Sequence, residues 1–137
     1  MDASPKPKPA VLLVHKEGGL TPGLFSSFML LADQPLVAHT GEMAIRMVRE
    51  NNNIRLVLIG MDLPDFNGIE TVIRIRETQK TLPIVLLTHY LTVETMQVAN
   101  IIGCNDIIQE PVTPEMVQSI LGKYLTIRPE TCLNEKP

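Results

Sequence analysis

The sequence LVLIGMDLPDFNG, residues 56–68, joins a short apolar run to a loop that contains proline and glycine. A continuous apolar run of this length is typical of a strand covered on both faces, as in a parallel sheet. Similar runs occupy residues 11–14 and 84–87, and weaker candidates occupy residues 36–38 and 107–108. Together they predict five strands, of which the run at 56–59 is the third.

Helix signals fall between these strands. Thr40, Thr92 and Thr113 each precede a segment with apolar residues at helical spacing, and threonine is a good N-cap residue. Thr21 is followed by Pro22, which suits the first helical position. A further apolar stripe follows residue 68, and Gly103 can end the fourth of the five helices. Strands that alternate with helices predict right-handed crossovers and a doubly wound α/β sheet.

Composition narrows the class of protein. A chain of 137 residues is long enough for one domain, and its net charge of −3 argues against direct nucleic-acid binding. No run of 18 apolar residues predicts a membrane span, and the Pro- and Lys-rich start does not resemble a signal peptide, so a cytoplasmic location is expected. Cys104 and Cys132 fit neither a disulfide framework nor a metal motif. We expect tails at residues 1–9 and 127–137 around a domain at 10–126, the second tail being a possible linker.

Several short motifs occur in the order and spacing seen in response-regulator receiver domains, the CheY-like family. They are GEMA at residues 41–44, LP at 63–64, NG at 67–68, LLT at 86–88, and GCND at 103–106 followed by Pro111. The resemblance covers residues 10–125. It implies a flavodoxin-like fold with a five-stranded parallel sheet in the order 2-1-3-4-5, five helices, and a role in two-component or phosphorelay signalling.

The resemblance also implies a phosphorylation pocket, and this chain departs from it. Receiver domains carry an acidic pair, a phosphoacceptor aspartate, a hydroxyl residue, a lysine followed by proline, and an aromatic switch residue. The corresponding positions here are His15 and Lys16, Gly60, Thr88, Glu110 with Pro111, and Ile107. Only the hydroxyl residue and the proline match the family pattern.

These replacements remove what phosphoryl transfer requires. Gly60 has no nucleophile, Lys16 brings a positive charge to the magnesium position, and Glu110 repels phosphate. We therefore predict a pseudo-receiver that is no enzyme and binds no cofactor or metal. It would contact another signalling protein through the face between Thr92 and Leu125 or form a homodimer, with no membrane contact. Ile107 in place of the aromatic switch implies one resting conformation.

Five further interpretations remain open. A Lys16–Glu110 ion pair could close the vacated pocket, and the Glu110–Pro111 peptide bond could be cis, as in the family. Asp62 could replace the missing phosphoacceptor, or a small anion could bind near Lys16 and Thr88. A transition metal on histidines 15 and 89 with nearby acids is the weakest of these, because no local ligand spacing supports it.

Overall fold

Strands and helices alternate five times along the chain. The computed structural model describes residues 9–19, 22–32 and 34–125. The elements are β1 Ala10–Val14, α1 Pro22–Leu31, β2 Gln34–Ala38, α2 Gly41–Glu50, β3 Ile54–Gly60, α3 Gly68–Arg76, β4 Ile84–Thr88, α4 Val93–Ile102, β5 Asp106–Gln109 and α5 Pro114–Leu125. All five predicted strands and all five predicted helices are present in the predicted order.

The five strands form one parallel sheet in the order β2-β1-β3-β4-β5. β1 lies between β2 and β3, and Val14 stands opposite both Ala38 and Ile59. β3 continues to Gly60, which stands opposite Leu87 of β4. The chain therefore has the flavodoxin-like, CheY-like architecture that the resemblance implied. The strand order changes direction between β1 and β3, and this is the topological switch point of the sheet.

Two apolar layers cover the two faces of the sheet. Alternate residues of the strands point to opposite faces. Leu12 belongs to the layer that contains buried residues of α2, α3 and α4, whereas Leu13 belongs to the layer that contains those of α1 and α5. Phe28 of α1 is completely buried in the second layer. Because both faces of the sheet are covered, the sequences of the central strands are continuous apolar runs.

The predicted helix caps are confirmed where the structure describes them. The hydroxyl oxygens of Thr40 and Thr113 accept hydrogen bonds from the N–H groups of Met43 and Met116. Thr92 forms a reciprocal capping box with Thr95, and Gly103 ends α4 with a φ of 100°. Asn67 caps α3 by accepting a bond from the N–H of Glu70, a cap that the sequence analysis did not identify.

Some predictions concern residues outside the described part of the chain. These are the Thr21 cap, Cys132, and the two tails, of which only Pro9 is described. Within the described residues, none of the helices has the length and apolarity needed to cross a membrane.

Candidate functional site at the carboxyl ends of the strands

Four strand ends bring the predicted pocket residues together. His15 follows β1, Gly60 ends β3, Thr88 ends β4, and Glu110 follows β5. Because the strands are parallel, their carboxyl ends lie along one edge of the sheet. This edge, beside the topological switch point, is where ligands bind in open α/β sheets.

The imidazole of His15 fills the space in front of Gly60. The side chain of His15 is only 4% exposed. A Cβ atom built on Gly60 would lie 2.9 Å from Cδ2 and 3.2 Å from Nε2 of that ring. On the other side, a Cβ atom on Gly19 would lie 2.7 Å from both Cε1 and Nδ1. The ring is therefore held between two glycines, neither of which has room for a side chain.

A second close approach explains the glycine that follows Asn67. A Cβ atom on Gly68 would lie 2.3 Å from the carbonyl oxygen of Gly60, so any other residue would collide with the backbone. The N–H of Gly68 donates to the carbonyl oxygen of Met61 at 2.8 Å. The first turn of α3 is thus pressed against the end of β3, which explains the spacing between residues 60 and 68.

The Glu110 carboxylate bridges two histidines. Its Oε2 lies 3.0 Å from Nε2 of His15, and its Oε1 lies 3.3 Å from Nε2 of His89. The Glu110 side chain is 8% exposed. Burial acts to raise the pKa of Glu110. However, the hydrogen bond from His15 and the charges of both histidines and Lys16 outweigh burial and lower this pKa below its ordinary value.

This bridge fixes where the His15 proton lies. A carboxylate only accepts hydrogen bonds, so Nε2 of His15 must donate to Glu110. The Nδ1 atom of His15 is buried and has no hydrogen-bond partner among the described residues. His39 contacts the backbone of His15 and not its ring, since Nδ1 of His39 lies 3.0 Å from the carbonyl oxygen of His15.

The suggested Lys16–Glu110 ion pair is wrong. Nζ of Lys16 lies 2.9 Å from Oδ2 of Asp62, and both side chains are exposed. The hydrogen bond and charge of Lys16 lower the pKa of Asp62 below its ordinary value. Lys16 leaves the pocket because the carboxylate of Asp62 is available in solvent, where neither charge has to be desolvated.

The remaining pocket positions have structural partners. The N–H of Tyr90 donates to Oγ1 of Thr88, and this hydroxyl contacts the carbonyl oxygen of Tyr90, both at 3.3 Å. The Glu110–Pro111 peptide bond is cis, as suggested. Ile107 is partly buried and packs against the apolar layer beside α4.

Metal binding and thiol chemistry were the other possibilities that the residue types raised. Among the described residues, no group of histidine, cysteine and acidic side chains is arranged to hold a metal ion. Burial raises the pKa of the Cys104 thiol to about 11, which keeps it protonated and unreactive near neutral pH.

Sequence reasoning missed two parts of the site, the His89–Glu110 contact and the packing of Gly19 on the ring. One signal was available for the ring itself. A bulky residue at position 15 and a missing side chain at position 60 fall at the ends of neighbouring strands, so one can fill the space that the other leaves.

The sheet order and the residues at its carboxyl edge define a doubly wound α/β protein with its site beside the topological switch point. Residues 32–121 match the response regulator receiver domain family. The chain belongs to this family.

Solved structures agree on the fold. The chemotaxis protein CheY4 of Vibrio cholerae superposes with a TM-score of 0.78 and 20% identity, covering 87% of this chain and all of that one. The receiver domain of DrrB superposes with a TM-score of 0.75 and 21% identity, covering 88% and 99%.

The chain matches only a part of two longer curated proteins. A protein-glutamate methylesterase/protein-glutamine glutaminase of Trichodesmium erythraeum is 32% identical over 55% of this chain and 22% of its own length. The transcriptional regulatory protein CpxR of Klebsiella pneumoniae is 33% identical over 57% of this chain and 32% of its own length. The matched region thus spans a third or less of either relative. A CheY homologue of Campylobacter jejuni is 26% identical over 68% of this chain and 73% of its own length.

Proposed function

We propose that this receiver domain signals by contact with another protein and takes no phosphoryl group at the end of β3. The observation that carries the proposal is the position of His15. Its imidazole occupies the space in front of Gly60, where an incoming phosphoryl group would have to lie, and is bonded to Glu110. The edge of the sheet is thus filled by side chains.

The chemistry of the pocket supports the same conclusion. Phosphoryl transfer to a carboxylate needs a nucleophile and positive charge placed on the transferred group. Gly60 supplies no nucleophile, and the buried Glu110 carboxylate would repel a phosphate. Lys16, the cation beside the site, is paired with Asp62. The domain is accordingly proposed to be a non-enzymatic module.

Exposed apolar side chains along α4 and in the loop before it offer a place for the partner. We call this surface the α4 patch; it consists of Tyr90, Leu91, Val93, Met96 and Ile101, all of them exposed. Most of it falls on the face between Thr92 and Leu125. Exposed apolar clusters of this kind mark protein interaction sites, so another signalling protein, or a second copy of this chain, would dock here.

The proposal is tested by intact mass after incubation with magnesium and acetyl phosphate. A receiver domain with an aspartate at the end of β3 serves as the positive control. We expect the control to gain one phosphoryl group and this chain to gain none. A stoichiometric gain by the wild-type chain would overturn the proposal.

One alternative acceptor has a specific observation in its favour. Asp62 is an exposed carboxylate in contact with a lysine, two residues beyond Gly60. If the wild-type chain gains a phosphoryl group that Asp62→Asn loses, then Asp62 is the acceptor. An anion site formed jointly by Lys16 and Thr88 has less support, because their polar groups are bonded to Asp62 and to the backbone of Tyr90.

A further inference from the structure

Helix α1 presents large apolar side chains to solvent. Phe25, Met29 and Leu30 are exposed, and Leu30 is 83% exposed. Ser26 is exposed as well. Residues four positions apart are neighbours on a helix surface, so Phe25 with Met29 and Ser26 with Leu30 form two adjacent rows. We call these four residues the α1 patch.

The α1 patch lies on the opposite side of the molecule from the α4 patch. Leu24 and Phe28 of α1 are buried in the apolar layer shared with α5, so the α1 patch faces away from the sheet. Helix α4 contributes Ala99 to the layer on the other face of the sheet. A molecule bound at one of these patches therefore leaves the other one open.

The sequence of α1, residues 22–31, contains no charged residue. Each of the other four described helices contains at least one. A helix that binds a membrane surface carries lysine and arginine beside its apolar face, and α1 has neither. Selection of a different protein depends largely on complementary charges, which α1 also lacks.

An uncharged helix is suited to contact with its own copy. In a two-fold dimer the same surface meets itself, so a residue near the axis lies next to its copy in the partner. A charged residue there would face a like charge, and α1 has none to bring together. The short side chain of Ser26 also leaves room between the larger side chains, so that two helices could approach to about 8–10 Å.

We propose that the α1 patch is a self-association surface, through which two copies of this chain pair about a two-fold axis with α1 against α1. A helix of 10 residues is about 15 Å long, so the interface belongs to the small class, below about 1,200 Å², and the dimer is reversible. Each dimer presents two α4 patches to another signalling protein. The inference goes beyond the proposed function and does not depend on it.

The test is sedimentation velocity of the chain over a series of concentrations. We expect the wild-type chain to pass from monomer to dimer as its concentration rises. Leu30→Glu should raise the dissociation constant at least about tenfold, because it places two carboxylates in the interface. Ile101→Glu is the matched control, since Ile101 is 80% exposed but belongs to the α4 patch. This variant should dimerise like the wild type.

A pair of charge variants tests the two-fold arrangement. Leu30→Lys should also be monomeric by itself, because two ammonium groups would meet. Mixing Leu30→Lys with Leu30→Glu should restore a dimer, since position 30 of one copy then faces the opposite charge. A mixture that stays monomeric would overturn the α1-against-α1 pairing. Position 30 is exposed, so both variants should fold, and circular dichroism checks this.

Three results would overturn the self-association surface. They are a wild-type chain that stays monomeric throughout the series, a dimer that Leu30→Glu leaves unchanged, and a dimer that Ile101→Glu abolishes. The last result would assign the contact between copies to the α4 patch. None of them alters the outcome of the phosphorylation test, so the two proposals fail separately.

Discussion

At the carboxyl end of the sheet, the ring of His15 fills the space that a side chain at position 60 would need. Neither residue is unusual alone, since glycine is common at strand ends and histidine can be buried when it is bonded. Their combination matters because a side chain at position 60 and the ring at position 15 cannot both be present without movement. This mutual exclusion leads to a prediction at the scale of single residues.

Gly60→Ala should lower the free energy of unfolding by about 1–3 kcal/mol, because the added methyl group would lie 2.9 Å from Cδ2 of His15. Urea unfolding measures the change. In a His15→Ala background the ring is absent, so the same substitution should cost much less. The four variants form a double-mutant cycle that cancels the cost of leaving Glu110 with one partner fewer. Equal costs in both backgrounds would show that the ring does not fill this space.

Glu110→Gln should destabilise the domain at pH 7 by about 1.5–3 kcal/mol, the range for hydrogen bonds to a charged group. The pKa of Glu110 is lower in the folded state than its ordinary value of 4.5, so its contribution is present above that pH. It is lost as the pH falls through the lowered folded-state pKa. The difference between wild type and Glu110→Gln should therefore shrink below about pH 4.5 in urea unfolding. A difference that grows on acidification would contradict the assignment.

At the scale of elements, the β3–α3 loop supports the start of α2. Asp65 accepts hydrogen bonds from the N–H groups of Gly41 and Glu42, both at 2.9 Å. These backbone groups have no partner within the helix itself. Thr40 caps the same helix from within its own segment. One helix end is thus satisfied partly by a residue that is distant in sequence.

Asp65→Ala should lower the free energy of unfolding by about 0.5–2 kcal/mol, the usual cost of losing an N-terminal cap. Glu50→Ala removes an exposed acid from the other end of α2 and serves as the control, with little expected effect. Thermal unfolding of both variants at neutral pH makes the comparison. Equal melting temperatures for Asp65→Ala and Glu50→Ala would mean that Thr40 alone satisfies the N-terminus of α2.

The end of α4 depends on the conformation of one glycine. Gly103 has a φ of 100°, and its carbonyl oxygen accepts hydrogen bonds from two nitrogens of Arg76, at 3.1 and 2.7 Å. Gly103→Ala should cost about 1–2 kcal/mol, because a side chain disfavours this backbone region. Gln97→Ala, at an exposed position of α4, is the control in urea unfolding. A cost no larger than that of the control would show that the helix can end in another conformation.

At the scale of the whole molecule, the receiver fold is intact while its pocket is filled. The superposition on CheY4 of Vibrio cholerae covers 87% of the chain, so the two proteins share the fold over most of this length. Combining His15→Asp, Lys16→Asp, Gly60→Asp and Glu110→Lys would restore the acidic pair, the phosphoacceptor and the lysine of the family pattern. We expect this variant to gain a phosphoryl group from acetyl phosphate in the presence of magnesium, as measured by intact mass.

Gly60→Asp alone is the matched control for this reconstruction. It supplies a nucleophile but leaves His15 in its path and Glu110 in place of the lysine, so no phosphoryl group should be gained. Labelling of the single variant to the same extent would mean that position 60 alone accounts for the missing chemistry. Circular dichroism should first establish that both variants are folded.

The arrangement of the fold was readable from local patterns. Three apolar runs identified the central strands because both faces of the sheet are covered, and threonine and glycine caps identified helix ends because capping acts within a few residues. The likeness to receiver domains then supplied the strand order. The vacated pocket positions were also found this way, since they depend on position along the strands and not on side-chain direction.

The partners inside the pocket were decided by the tertiary structure. His15 and Glu110 are 95 positions apart in the chain, and which side chain reaches Glu110 depends on directions set by packing. Adjacent residues diverge here, with His15 turning inward to Gly60 and Lys16 outward to Asp62. Successive side chains of a strand point to opposite faces, so two neighbouring residues at a strand end can point in opposite directions. Sequence patterns that repeat over a few residues determine the strands and helices. Contacts between strand ends form only once the sheet has assembled.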